Sequence, residues 1–116
     1  ERATWTSAEA DPMKPRLVIA GGGPVGLALA SRTVLQWAPI VIDSDPEKCR
    51  QAEQIEGLTV VCGDVTSTLV LKRAKVQGAS YAVATTSDDE VNAEFCRLIR
   101  EQFGAHNVVA LTGSPG

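Results

Sequence analysis

Short apolar runs alternate along the chain with longer segments in which apolar residues recur every three or four positions, beginning at Arg16. Each run holds three or four mostly apolar residues, the pattern expected of strands that are covered on both faces of a parallel sheet. Glycine, proline and acidic residues separate each run from the segment that follows it. The predicted strands are Leu17–Ala20, Ile40–Ile42, Thr59–Cys62, Tyr81–Ala84 and Val108–Leu111.

Helix signals fill the gaps between these strands. A proline suits the first helical position, Asp, Ser and Thr side chains can cap the following helices, and glycine is typical of helix ends. The predicted helices are Pro24–Trp37, a helix from Pro46 that Gly57 stops, one capped by Thr66 or Ser67 that runs through Ala74, and one with an apolar stripe of Val91, Phe95, Leu98, Ile99 and Phe103 that Gly104 ends.

This alternation predicts an α/β fold in which a five-stranded parallel sheet is doubly wound, with helices on both faces. The expected strand order is 3-2-1-4-5, so strands one and four meet at the switch point. Residues 16–116 are predicted to form this domain, and residues 1–15, which lack a sustained apolar period, a linker or flexible arm. Ligands of such sheets bind outside the carboxyl ends of the strands, where the loops after strands one to four converge.

A glycine-rich turn follows the first strand and opens the first predicted helix. Gly21, Gly23 and Gly26 occupy the three positions of the G-x-G-x-x-G pattern, with Pro24 and Val25 between the last two. In a Rossmann-like, dinucleotide-binding fold these glycines allow the tight turn, the approach of a pyrophosphate to the backbone, and close packing of helix on strand. The helix N-terminus adds N–H donors and the positive end of its dipole. The turn therefore predicts nucleotide binding, with a purely structural turn as the alternative.

An acidic residue ends the second strand. Asp43 lies about 20 positions after Gly21, the spacing at which a carboxylate accepts hydrogen bonds from the ribose hydroxyls of a dinucleotide. Neither Ser44 nor Asp45 brings a positive charge that would accommodate a 2′-phosphate, so the sequence disfavours NADP. We expect Asp43 and Ser44 to lie in the ribose site and Asp45 to act as a helix cap.

Polar residues also follow strands three and four. Asp64 and Val65 come beside the position expected for adenine, where the Asp64 side chain or the backbone of both could contact the base. The alternative is a turn acid bonded to local N–H groups. Thr85 and Thr86 are expected to face the pyrophosphate side of the crevice, where their hydroxyl groups could donate hydrogen bonds to a ligand. Asn92 either reaches back into the crevice or bonds a neighbouring loop.

Composition excludes several classes of function. With 44% hydrophobic and 22% charged residues the chain is typical of a globular domain, and its net charge of −3 argues against nucleic acid as a partner. The three cysteines lack C-x-x-C spacing and indicate neither a disulfide framework nor a zinc site, and Cys62 is expected to pack as a small apolar residue. His106 is the only histidine, and the acids at 88–90 are expected to cap a helix. No catalytic or metal-binding residue is assigned, and the chain is not expected to be an enzyme.

The assembled pattern resembles the N-terminal nucleotide-binding half of RCK domains, also called the Trk-type or KTN fold. The resemblance spans about residues 16–111. It depends on the acid after strand two, the Gly-Asp pair after strand three and a Thr/Ser-Asp-Asp-Glu-x-Asn stretch after strand four. The matching segments are Leu17–Gly26 (LVIAGGGPVG), Val41–Glu47 (VIDSDPE), Val60–Thr66 (VVCGDVT) and Ala79–Asn92 (ASYAVATTSDDEVN).

The resemblance implies a cytoplasmic regulatory domain of a potassium channel or potassium transporter, peripheral or tethered at the cytosolic face of the membrane. It implies binding of NAD or NADH, or of AMP, ADP or ATP, without turnover. It also implies a homodimer or higher oligomer in the full-length protein, whose geometry changes with the ligand and controls the membrane subunit. The phosphate loop of the family falls on Gly21–Gly26, the ribose acid on Asp43, and the adenine side on Asp64 and Val65. Many members carry Arg or Gln where this chain has Pro24, which disfavours a triphosphate ligand.

A second resemblance covers Val18–Ala30 (VIAGGGPVGLALA), which is similar to the FAD-binding opening of flavin-dependent aromatic hydroxylases. Proline is usual there at the position of Pro24, but those proteins generally carry Glu where this chain has Asp43. The alternative function is therefore a cofactor-binding part of an oxidoreductase, either an NAD-dependent dehydrogenase or an FAD-dependent hydroxylase.

Overall fold

The computed structural model describes residues 5–6, 13–104 and 107–111, so His106 lies outside the described residues. The strands are β1 (Trp5–Thr6), β2 (Arg16–Ala20), β3 (Ala38–Asp43), β4 (Thr59–Cys62), β5 (Tyr81–Ala84) and β6 (Val108–Ala110). The helices are α1 (Pro24–Thr33), α2 (Pro46–Ala52), α3 (Thr68–Arg73) and α4 (Asp89–Phe103). None of the helices in these described ranges is long and apolar enough to cross a membrane.

The predicted topology is confirmed. The described strands form one sheet in the order β1-β4-β3-β2-β5-β6, and all pairs from β2 to β6 are parallel. β2 to β6 are the five predicted strands in the order 3-2-1-4-5, with the switch point between β2 and β5. The sequence did not predict β1, which pairs antiparallel with β4 and sets Trp5 opposite Cys62. The boundary between an arm over 1–15 and a domain over 16–116 stays a prediction.

Each face of the sheet buries its own apolar layer, because successive side chains of a strand point to opposite faces. Val18 and Ala20 of β2 pack in the layer under α3 and α4, where Phe95 is fully buried. Leu17 and Ile19 of the same strand pack in the layer under α1 and α2. In a central strand the side chains on both faces of the sheet are therefore apolar, which explains the uninterrupted apolar runs.

Two helices end earlier than the sequence predicts. α1 stops at Thr33 rather than at Trp37, and the N–H groups of Gln36 and Trp37 bond to the Thr33 carbonyl oxygen in the turn that follows, at 3.2 and 2.8 Å. α2 stops at Ala52, and turns continue to Gly57, whose φ of +91° is left-handed. Gly57 thus ends the turns after the helix rather than the helix itself. An apolar period indicates a helix without marking its last residue, since the following turns also bury side chains.

The start of α4 is fixed by two side chains. Oδ1 of Asp88 accepts hydrogen bonds from the N–H groups of Glu90 and Val91, at 2.9 and 3.2 Å, which confirms the capping predicted for this acid. Asn92 is 1% exposed, and its Oδ1 accepts from the backbone N–H and the hydroxyl of Thr86 at 3.1 and 2.6 Å. Its Nδ2 donates to the Thr86 carbonyl at 3.0 Å. Of the two alternatives for Asn92, the structure shows the bond to a neighbouring loop.

Replacing Asn92 with Ala is expected to lower the free energy of unfolding by about 1–3 kcal/mol, because the N–H and carbonyl of Thr86 lose their partner, while the Thr86 hydroxyl keeps its bonds to the backbone of Asp88. Urea denaturation followed by circular dichroism measures this change. Asn107→Ala is the matched control: Nδ2 of Asn107 donates to the Ser80 carbonyl at 3.1 Å, but both residues are exposed, so water replaces the bond. Equal losses in the two variants would contradict the role given to Asn92.

Candidate functional site

A cleft of about 570 Å³ opens at the carboxyl ends of β2, β3, β4 and β5, across the switch point. All but one of the residues predicted to bind a cofactor line this cleft, and the exception, Gly26, is buried beneath the glycine turn. Those in the lining are Gly21, Gly23, Pro24, Val25, Asp43, Ser44, Asp64, Val65, Thr85 and Thr86. Their common location is observed, while their contacts with a ligand stay predictions.

The glycine turn adopts the geometry that its sequence predicts. Gly21 has a φ of +118°, which favours glycine, and its N–H donates to the Ile42 carbonyl at 2.8 Å. A Cβ on Gly26 would lie far inside van der Waals contact with the Gly21 carbonyl oxygen. A Cβ on Gly23 would meet no atom within 4 Å. The first and third glycines are therefore required by the fold, and the second leaves open space beside the backbone.

The N-terminus of α1 points its unpaired N–H groups at this open space. Gly23 is the N-cap, with an extended backbone and no side-chain cap, and Pro24 occupies the first turn. The first N–H groups of a helix have no partner within it, and their dipoles sum to a partial positive charge. The first turn of α1 carries no acidic side chain that would cancel this charge. The arrangement suits an anion such as a phosphate.

The two acids at and just after the end of β3, Asp43 and Asp45, make different contacts. Oδ2 of Asp43 accepts from the Gly22 N–H at 2.7 Å, and Oδ1 accepts from the Asp45 N–H at 2.8 Å. Asp45 caps α2 by accepting from the Glu47 N–H at 2.9 Å, as predicted. A carboxylate has about four acceptor positions, so Asp43 retains acceptors for ribose hydroxyls while the glycine turn holds it in place.

Asp64 forms the local turn that was one of its two predicted alternatives. Its Oδ1 accepts from both the N–H and the hydroxyl of Thr66, each at 2.8 Å. The Asp64 side chain is exposed, and Val65 beside it is 7% exposed and forms part of the cleft wall. Contact of either residue with an adenine base stays a prediction.

The two threonine hydroxyls after β5 form bonds within the protein. Oγ1 of Thr85 lies 3.1 Å from the Ala20 carbonyl oxygen and 3.2 Å from that of Gly21, and shares its hydrogen between them. The Thr86 hydroxyl donates to Asn92, as described above. These bonds join the loop after β5 to the glycine turn and to α4. In this structure the hydroxyls therefore organise the cleft rather than point into it as donors.

One cation in the cleft was missed by sequence reasoning. Lys48 lies in the first turn of α2 and lines the cleft together with Asp43 and Ser44. A positive charge there opposes the helix dipole, at a cost of about 0.3–1 kcal/mol, so helix stability does not explain it. The sequence analysis considered only the two residues after Asp43 as sources of positive charge. The spacing of Lys48, three residues after the helix cap Asp45, was the signal that would have placed it on the same side of α2 as the cap. The remaining lining residues are Ser87, Asp88 and Val91.

Two buried thiols lie beneath the ribose side of the cleft. Sγ of Cys49 donates to the Asp43 carbonyl at 3.2 Å, and both Cys49 and Cys62 are fully buried. Burial raises the pKa of the Cys49 thiol, with further contributions from its hydrogen bond to Cys62 and from the Asp43 charge, so it stays protonated and is not a nucleophile. Cys62 packs as a small apolar residue, as predicted. Among the described residues, the cleft lining includes no histidine, cysteine or tyrosine, and no three or more metal-binding side chains form a cluster.

Comparison with known families identifies related sequences. The model of the TrkA-N domain matches residues 17–116. The Trk system potassium uptake protein TrkA homolog of Methanothermobacter thermautotrophicus is 32% identical over 100 residues, which cover 85% of this chain and 46% of that protein. The Trk system potassium uptake protein TrkA of Streptomyces coelicolor is 35% identical over 100 residues, which cover 85% and 45%. The chain thus spans about half the length of these curated relatives.

Solved structures share the fold. The GsuK channel bound to NAD matches with a TM-score of 0.71 and 23% identity, over 92% of this chain and 19% of that one. GsuK bound to ADP matches with a TM-score of 0.68 and 23% identity, over 90% and 27%. The family match includes every strand of the parallel sheet and all four loops of the cleft. Sequence and architecture therefore agree with the predicted resemblance, and the chain belongs to the TrkA-N domain family.

Proposed function

We propose that this chain is a regulatory nucleotide-binding domain that takes up NAD or NADH, or an adenine nucleotide (AMP, ADP or ATP), and controls a potassium channel or transporter through a ligand-dependent conformational change. The observation that carries the proposal is the composition of the cleft. It combines a glycine turn, an exposed helix N-terminus and an oriented carboxylate, and its described lining offers no histidine, cysteine or tyrosine for acid–base or nucleophilic catalysis.

The diphosphate of the ligand belongs over the glycine turn. The open space beside Gly23 admits phosphate oxygens to the backbone, and the N–H group of Val25 at the start of α1 can donate to them. Pro24 has neither an N–H nor a side-chain donor. The turn is therefore better suited to a diphosphate than to a triphosphate, whose terminal group would need a donor of its own.

The adenosine belongs on the side of β3 and β4. Asp43 is half-buried and already oriented by the Gly22 N–H, so little side-chain entropy is lost when it accepts ribose hydroxyls. Val65 offers an apolar wall to the adenine ring, beside Asp64. Lys48 introduces one positive charge near these acids and partly offsets their repulsion of an anionic ligand.

The names of the relatives support the regulatory part of the proposal. Both curated relatives are potassium uptake proteins, and GsuK is a channel whose structures contain NAD in one case and ADP in the other. By this argument the partner of the chain is a membrane channel or transporter subunit. The domain then acts in the cytoplasm, peripheral or tethered at the membrane, within a homodimer or higher oligomer of the full-length protein. A cofactor-binding part of an oxidoreductase is the competing function that the ligand test below separates.

The ligand class is tested by thermal unfolding with NAD, NADH, NADPH, AMP, ADP, ATP and FAD added separately. A ligand at about 100 times its Kd stabilises the folded chain by about 2.7 kcal/mol, which raises the unfolding midpoint by roughly 10 °C in a domain of this size. We expect shifts with NAD, NADH or the adenosine phosphates, and none with NADPH or FAD. A shift with FAD alone would support the flavoprotein alternative, and no shift with any of the seven would contradict nucleotide binding.

Gly23→Ala is expected to fold normally and to bind NAD at least about tenfold more weakly, a loss of about 1.4 kcal/mol. The φ of −79° suits alanine and the new Cβ meets no atom within 4 Å, but it fills space that the pyrophosphate needs. Isothermal titration calorimetry measures the affinity, and circular dichroism checks the fold. Ala28→Ser, an exposed change on the same helix outside the cleft lining, should bind like the wild type. Undiminished affinity in Gly23→Ala would show that the phosphates lie elsewhere.

Asp43→Ala is expected to weaken NAD binding by about 1–3 kcal/mol, because the ribose hydroxyls lose their acceptor. The titration is performed well below the unfolding midpoint, since the N–H groups of Gly22 and Asp45 lose a partner as well. Asp45→Ala is the matched control: it removes the cap of α2, which should lower stability by about 0.5–2 kcal/mol and leave the affinity unchanged. Equal losses of affinity in the two variants would refute the ribose contact.

A further inference from the structure

A second recess, of about 510 Å³, opens at the amino-terminal ends of the strands. It therefore lies at the edge of the sheet opposite to the nucleotide cleft, which is at the carboxyl ends. We call it the basic recess. Its lining comes from the first residue of β2, the end of α3 with the loop that follows, and the last turn of α4. The residues are Arg16, Lys72, Lys75, Gln77, Gln102 and Phe103.

The charge of the basic recess opposes that of the whole chain. Arg16 and Lys72 are basic, as is Lys75, and none of the described lining residues is acidic, whereas the chain carries a net charge of −3. Positive charges around a concave surface with a low-dielectric wall reinforce one another and attract anions. The neutral members, Gln77 and Gln102, carry amide groups that can donate hydrogen bonds to an anion.

Arg16 is held in the wall of the recess by the backbone. Its Nε donates to the Lys75 carbonyl at 3.1 Å, and its Nη2 donates to the Gln77 carbonyl at 2.7 Å. A Cβ on Gly78, whose φ is +85°, would lie only 3.1 Å from Nη2, so the glycine makes room for the guanidinium. These two bonds use two of the five N–H donors of the group and leave the planar fork oriented.

Helix stability accounts for only part of this arrangement. Lys72 and Arg73 both lie in the last turn of α3, where cations compensate the negative end of the helix dipole. Arg73 has the same relation to the dipole but does not line the recess. Arg16 belongs to a strand, so the dipole gives no reason for its charge. Within the described part of the chain, the Arg16 guanidinium bonds to two neutral carbonyls and to no carboxylate, so its positive charge is not offset there.

We propose that the basic recess binds a phosphate-bearing anion. The fork of Arg16 would engage phosphate oxygens through its remaining N–H groups, and Lys72 would add a second positive charge. Phe103 lines the recess as well and offers an apolar contact to the rest of an organic phosphate. The ligand is either a free phosphorylated molecule or the phosphorylated headgroup of a lipid, and this inference does not depend on the function proposed for the nucleotide cleft.

Titration of the ¹⁵N-labelled chain with inorganic pyrophosphate, followed by NMR, tests the proposal site by site. We expect saturating shifts for the amides of Arg16, Lys72 and Gln77, which are distinguishable from any shifts in the glycine turn of the cleft. Lys72→Glu should weaken binding at the recess at least tenfold. Arg73→Glu makes the same change of charge one residue away and should stay within about twofold of the wild type. Arg16→Lys keeps the charge and removes the fork, and it should also bind more weakly.

Three results would overturn the proposal: shifts confined to the glycine turn, shifts at the recess that do not saturate, or equal weakening by Lys72→Glu and Arg73→Glu. The source of the phosphate is separated by co-sedimentation with phosphatidylcholine vesicles that contain or lack phosphatidylinositol 4-phosphate. Binding to the phosphorylated vesicles that Lys72→Glu abolishes supports a lipid headgroup. Saturating binding of pyrophosphate without binding to either vesicle supports a free phosphate.

Discussion

The hydroxyl of Thr85 lies against two glycines, and the shape of the cleft depends on this contact. A Cβ on Gly21 or on Gly26 would come within 2.7 or 2.9 Å of Thr85 Oγ1. Any side chain at these positions would push α1 away from the loop after β5 and open the switch point. At Gly21 and Gly26 the glycine pattern is therefore first a packing requirement. The phosphate site proposed above depends instead on Gly23, which leaves open space beside the start of α1.

The electrostatics of the cleft depend on backbone groups as much as on side chains. All three carboxylates of the lining accept hydrogen bonds from N–H groups: Asp43 from the glycine turn, Asp64 from its own turn, and Asp88 from the first turn of α4. Each acid therefore stabilises the backbone segment whose N–H group it accepts from. Attraction for an anion comes instead from the N-terminus of α1, with Lys48 as the cation of the lining. The acidic side chains of the cleft are therefore compatible with the phosphate binding proposed for it, because different atoms are involved.

The parts of this structure that could be predicted from the sequence are those with a local physical cause. Buried parallel strands require apolar runs, Asp45 caps the helix that it directly precedes, and Gly21 is required by a turn formed within a few residues. The position of Asp43 at a strand end followed from the sheet order. Other features depend on contacts between distant segments. Tertiary packing sets the roles of the Thr85 hydroxyl and Asn92, the position of Lys48 in the cleft and the pairing of β1 with β4. Local sequence patterns carry no information about such contacts.

α4 extends from one ligand-sized opening of the domain to the other. It has 15 residues and is about 22 Å long, with Val91 in its first turn lining the cleft and Phe103 in its last turn lining the basic recess. A hydrogen-bonded helix of this length moves as a stiff rod, so a tilt that displaces Val91 also displaces Phe103. The two openings therefore share a mechanical element. If each of them binds its own ligand and α4 shifts on binding, thermodynamic linkage requires that either ligand change the affinity for the other by the same factor.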